Sequence, residues 1–83
     1  MARSIDYVLF ENIKLYPNPV NGNELYITDI INGSFRVYNS FGQEISNDKI
    51  ENSIIPISDI SSENYLVEII SNWHSISKRF IKK

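Results

Sequence analysis

The chain has 83 residues, no cysteine and a formal net charge of −2. A chain this short buries only ~60% of the surface its unfolded form exposes, so it supports one domain, leaves little room for a deep catalytic cleft, and has no disulfide or thiolate metal site to staple it. Fifteen isoleucines against four leucines and one alanine favour pleated, half-buried strands over helices, and composition alone predicts an all-β protein.

At the start, Met1-Ala2-Arg3-Ser4 lacks the apolar core of a signal peptide, and no apolar run approaches the ~18 residues of a membrane span. Direct membrane insertion is therefore not expected. If the chain is exported, it is expected to be the trailing piece of a longer precursor that carries the signal. Residues 1–12 read as a linker or an extra strand, and residues 13–83 as the domain.

Strands are predicted at 13–16, 24–30, 34–39, 43–46, 53–57, 65–71 and 75–82, separated by the turn signals Pro17-Asn18-Pro19, Asn21-Gly22, Asn32-Gly33, Phe41-Gly42, Asn47-Asp48, Ser58-Asp59, Asn64 and Asn72. Seven short strands suggest a two-sheet sandwich. The first strand ends in Tyr16-Pro17-Asn18-Pro19. Each proline fixes its own φ, removes a donor and biases the residue before it to an extended backbone, so this segment is a rigid strand exit.

Leu25 and Ile27, then Phe35 and Val37, alternate with polar neighbours as in strands wet on one face. Asn32-Gly33-Ser34 fits a glycosylation acceptor but is already explained as a hairpin turn. Tyr65-Leu66-Val67-Glu68-Ile69-Ile70 is apolar on both faces apart from Glu68, which predicts a strand in the middle of a sheet. The last run has no clean face: Ile76 and Phe80 share their side with Lys78 and Lys82, while Arg79 and Ile81 share the other. Such a run reads as an edge strand, where lysines discourage chain-to-chain pairing.

Charge is uneven. Residues 1–77 carry ten acids and four bases, whereas Lys78, Arg79, Lys82 and Lys83 place four cations in the last six positions. That tail reads either as a recognition element or as a solvated terminus. The acidic body argues against nucleic acid as a partner.

No catalytic constellation is expected. His74 is the one histidine, placed in a predicted loop beside Trp73 and Asn72, and no Gly-x-Ser-x-Gly elbow accompanies the neighbouring serines. The carboxylates are scattered, and Gly22, Gly33 and Gly42 stand singly at turns, not in a phosphate cradle. Neither a metal nor a cofactor is expected, and Trp73 is the one aromatic that offers a stacking platform for a sugar.

From Asn12 to Lys83 the chain resembles the type A C-terminal sorting domain of the bacterial type IX secretion system. The resemblance is carried by Tyr16-Pro17-Asn18-Pro19, by Phe35 to Ile45 with its turn glycine Gly42, by Ile54 to Ile60, by the tyrosine-bearing strand that starts at Tyr65, and by the terminal Lys78-Arg79-Phe80-Ile81-Lys82-Lys83. One departure is Asn64, where the family usually has glycine; asparagine tolerates a left-handed backbone better than other side chains do.

The resemblance implies an immunoglobulin-like antiparallel β-sandwich that is not an enzyme. It implies a domain fused behind an N-terminal cargo, which it directs from the periplasm through the outer-membrane translocon to the cell surface or medium. It also implies removal by a sortase-like peptidase N-terminal to the motif, with residues 1–12 the candidate stretch. Lys78, Arg79, Phe80, Lys82 and Lys83 are the expected contacts of the machinery. Tyr16, Pro17, Asn18, Pro19, Gly42 and Tyr65 are expected to be mainly structural. The alternative is an accessory spacer or carbohydrate-binding module of a surface enzyme, with Trp73 as its stacking residue.

Overall fold

A computed structural model describes residues 13–58 and 60–83. The expectation for residues 1–12 lies outside the described residues, as does Asp59. Seven strands follow one another: β1 Leu15–Tyr16, β2 Glu24–Ile27, β3 Gly33–Tyr38, β4 Glu44–Ile50, β5 Ile54–Pro56, β6 Asn64–Ser71 and β7 His74–Ile81. They form a three-stranded sheet in the order β1-β2-β5 and a four-stranded sheet in the order β4-β3-β6-β7, with every strand pair antiparallel. This is the predicted β-sandwich, with the immunoglobulin-like division of strands between its two sheets.

Period-2 alternation builds the core. Leu25 and Ile27 of β2, Phe35 and Val37 of β3, and Tyr65, Val67 and Ile69 of β6 turn inward, joined by Ile13, Val20, Ile30, Ile50, Ile55, Ile57 and Phe80. β6 lies between β3 and β7, as its two-sided apolar pattern predicts, and β7 is a sheet edge. Among the described residues no buried side chain is polar or charged except the Tyr65 hydroxyl, which donates to the Ser61 carbonyl at 2.7 Å. That bond ties the preceding loop to the start of β6.

Several turns differ from the sequence expectation. Asn47-Asp48 is not a turn: β4 continues through it to Ile50 because each residue from Ser46 to Ile50 has a partner on β3, and an edge strand can leave its polar side chains in water. The reversal comes instead at Asn52-Ser53, both at positive φ (54° and 62°) between the bridged Glu51 and Ile54, the signature of a type I′ turn. Asn32-Gly33 is not a hairpin but part of the crossing from β2 in one sheet to β3 in the other. Gly33 is needed there for space, since a Cβ would sit 2.6 Å from the Ile70 carbonyl oxygen. His74 lies not in a loop but at the first position of β7, paired with Ser71. Asn64 needs no left-handed tolerance: it opens β6 opposite Ile81, exposed and absent from the positive-φ residues.

Candidate functional site

The two segments singled out in the sequence as separate features, the proline motif and the basic tail, lie against each other. β1 leaves its sheet at Tyr16, and Pro17 and Pro19, both preceded by cis peptide bonds, carry the chain across the gap between the sheets. Val20 then pairs with Lys82 in a parallel bridge. Its side chain is fully buried, its N–H donates to the Ile81 carbonyl at 2.8 Å, and its carbonyl accepts from the Lys83 N–H at 2.8 Å. One residue thereby anchors the end of β7 through both core packing and the backbone.

Asn18 extends this anchor by imitating a strand. Its Oδ1 accepts from the Ile81 N–H at 2.9 Å and its Nδ2 donates to the Arg79 carbonyl at 3.3 Å. A side-chain amide offers one acceptor and donors in the same plane, the arrangement a neighbouring peptide group would offer. Outward-directed backbone groups near the end of β7 are thus satisfied from within the chain, while no strand pairs with the outer edge at Ser75 and Ser77 among the described residues. On its inner side, the end of the strand is held by β6 and by the Lys82 N–H, which donates to the Glu63 carbonyl at 2.9 Å.

Alternation then sorts the terminal side chains. Even positions face the other sheet, so Phe80 is only 1% exposed and stacks on Tyr65, with ring centroids 5.5 Å apart and planes 25° apart. Phe80 is therefore not an accessible contact of the folded domain, which corrects its expected place among the surface residues: it is the ring that fastens the strand. Lys78 and Lys82 share its side but sit half-buried at the rim, where long aliphatic stems can lie on apolar surface with the ammonium in water. Arg79 and Lys83 are exposed. None of these four cations pairs with an Asp or Glu carboxylate within the described residues, and the Lys82 ammonium donates to the Lys83 main-chain oxygen at 3.1 Å.

Around the motif, the exposed Tyr16 ring packs on Tyr26 at 5.5 Å in a tilted arrangement, and the Tyr26 hydroxyl donates to Glu24 Oε1 at 3.1 Å. That hydrogen bond and the Glu24 charge push the Tyr26 phenol above its ordinary pKa. Gly42, at φ +82°, closes the β3–β4 loop, which Asn39 organises: its Oδ1 accepts from the N–H groups of Phe41 (2.9 Å) and Gln43 (3.0 Å). Both Gly42 and Tyr65 therefore shape the backbone at the same end of the molecule as the tail. Trp73, the alternative stacking residue, stands fully exposed on the β6–β7 turn at the far end of β7. The Asn18 contact had no signal in the linear sequence beyond the prolines that flank it, because the residues it joins are 61 and 63 positions away.

These features define a class: an immunoglobulin-like sandwich that fastens its own last strand with an internal clamp and presents a basic end. The family follows from comparison. Residues 14–83 match the family model of the secretion system C-terminal sorting domain, and the chain belongs to that family, the sorting domains of type IX secretion. A search of curated proteins gave no match.

Proposed function

We propose that the chain acts as a C-terminal sorting signal for type IX secretion, the role its family supports, by which a fused protein reaches the cell surface or the medium. The signal is read at the end of β7 in its clamped form, with Arg79, Lys82 and Lys83 presented to the translocon, Lys78 at the rim, and Phe80 holding the strand in place. The observation that carries this reading is the convergence of Asn18 and Val20 on Arg79, Ile81 and Lys83. Two segments that mark the family in sequence form one structure, in which the motif fixes the shape of the tail. The cargo passes through the periplasm, and a sortase-like peptidase then removes the domain N-terminal to Tyr16.

The test fuses residues 1–83 to an unrelated periplasmic passenger in a host that has the secretion system, and compares the parent with a Lys82→Glu/Lys83→Glu variant. Both positions lie outside the apolar core, so the variant keeps the fold. Surface delivery is expected to fall about tenfold, the equivalent of ~1.4 kcal/mol of recognition. Delivery unchanged by the charge reversal would falsify the tail as the element read. A glycan array probes the second reading, which rests on the exposure of Trp73: saturable binding abolished by Trp73→Ala would favour an accessory carbohydrate module.

A further inference from the structure

A second surface lies at the same end of the domain but off the terminal strand's edge. On the outer face of the four-stranded sheet, Tyr38 of β3, Leu66 of β6 and Arg79 of β7 form one cross-strand row, and Asn64 and Ile81 form the next. Tyr38, Gly42, Asn64, Leu66 and Arg79 line an open groove, bounded on one side by the β3–β4 loop. Phe41 stands on that loop 85% exposed, and Ile81 is 45% exposed.

Single exposed apolar residues are ordinary. Here the loop holds Phe41 in water by bonds on both sides of it, from the Phe41 and Gln43 N–H groups to Asn39 Oδ1 and from the Gly42 N–H to the Asn39 carbonyl at 3.0 Å. The ring stands on a braced support between Ser40 and Gly42, which line the groove, in the position of an anchor. The adjoining charge is unmatched. Glu68, a diagonal neighbour of Arg79 across the sheet, is already engaged: Oε1 accepts from the Tyr38 hydroxyl at 3.2 Å and lies 3.7 Å from Arg36, while Oε2 accepts from Ser75 at 3.0 Å. Glu44 is also paired with Arg36, at 3.9 Å. Arg79 thus has no carboxylate within ion-pair distance among the described residues.

We propose that this groove receives an extended protein segment carrying a carboxylate beside an apolar side chain, the carboxylate on Arg79 and the apolar group against Phe41 and Leu66. The inference rests on the sorting reading, in which that segment belongs to the secretion machinery. A protein segment fits better than a lipid headgroup because strand alternation divides the cations. Arg79 is the one cation that lines the groove: Lys78 and Lys82 lie toward the other face of β7, and Lys83, on Arg79's side, lies beyond the lining. The groove thus offers one charge, suited to a carboxylate, and not the cluster that anionic headgroups gather.

The test uses the full chain fused to the passenger described above, with Phe41→Ser, Phe41→Leu, Arg79→Glu and Trp73→Ser variants. All change exposed residues, and thermal unfolding of each purified fusion verifies the fold. Phe41→Ser and Arg79→Glu are each expected to lower surface delivery about tenfold or more, as loss of an interface anchor does, with folded fusion accumulating in the periplasm. Phe41→Leu should restore delivery, and Trp73→Ser, which removes a still more exposed ring from the opposite end, should leave it unchanged. Parent-level delivery of Phe41→Ser overturns the inference while leaving the sorting reading intact, as does an equal loss in Trp73→Ser. Phe41-dependent binding to phosphatidylglycerol vesicles overturns it in favour of a lipid. If the parent fusion itself stays in the periplasm, the sorting reading fails and the groove assignment falls with it.

Discussion

Asn18 illustrates how one side chain can substitute for a strand. Its two bonds reach backbone groups of Arg79 and Ile81 that would otherwise face water, and each such bond contributes about 0.5–1.5 kcal/mol net. Asn18→Ala is expected to lose ~1–2 kcal/mol in urea denaturation, and in hydrogen exchange the Ile81 amide should lose protection while Val67 keeps its own. Phe80 and Tyr65 make a second residue-scale contrast. Removing the stacked, buried ring in Phe80→Ala should cost about 3–5 kcal/mol. Tyr65→Phe keeps the stack and forfeits only the hydroxyl's bonds to the Ser61 carbonyl and Oγ, so a loss of ~1 kcal/mol is expected from the same titration.

Among the elements, the β6–β7 hairpin departs most from local preference. Asn72 and Trp73 both have positive φ, 51° and 70°, as a two-residue type I′ turn requires, yet glycine is the favoured residue at the second position. A bulky L-residue in that backbone costs roughly 1–2 kcal/mol, and glycine gives part of the relief back through greater freedom in the unfolded chain. Trp73→Gly should therefore raise stability by ~0.5–1 kcal/mol, read as a higher urea midpoint at unchanged slope. A lower midpoint would mean that the indole makes stabilising contacts in the folded state. β4 offers the opposite case: its Asn47-Asp48 pair is poor strand material, but pairing with β3 and an exposed edge position decide the outcome.

At the scale of the whole molecule, the last residues belong to the core as well as to the surface. Domains of this kind are stable by about 5–15 kcal/mol, and deletion of residues 80–83 would remove the Phe80 ring together with both backbone bonds to Val20. The truncated domain is expected to lose its cooperative thermal transition by circular dichroism, whereas the Lys82→Glu/Lys83→Glu variant should melt within a few degrees of the parent. Truncation therefore confounds folding with recognition, and charge reversal separates them. The topology also sets the polarity of the domain. Lys14 is bonded to Thr28 at the end near the Asn52-Ser53 turn, and β1 runs from there toward the end that holds Lys83. The described chain therefore enters the domain at the end opposite the tail.

Much of this was legible in the sequence because it is local. Alternation at Leu25-Ile27 and Phe35-Val37, the two-sided apolar run from Tyr65 and the prolines flanking Asn18 specify strands, faces and a rigid exit through side-chain periodicity and backbone sterics, and the ordered motifs specify the family. The reversal at Asn52-Ser53 and the path through Asn32-Gly33 were not legible, since turn residues announce a change of direction but not which sheet the chain enters next. Nor was the inward turn of Phe80 as the fastening ring, or the saturation of Glu68 that leaves Arg79 unmatched. Residue pattern along the chain is enough to specify a β-sandwich with a rigid motif near its start and a basic, edge-like last strand. That the motif and the strand are one site follows from the packing of the two sheets, because a hydrogen bond between residues 18 and 81 depends on where the sheets meet and leaves no periodic trace along the chain.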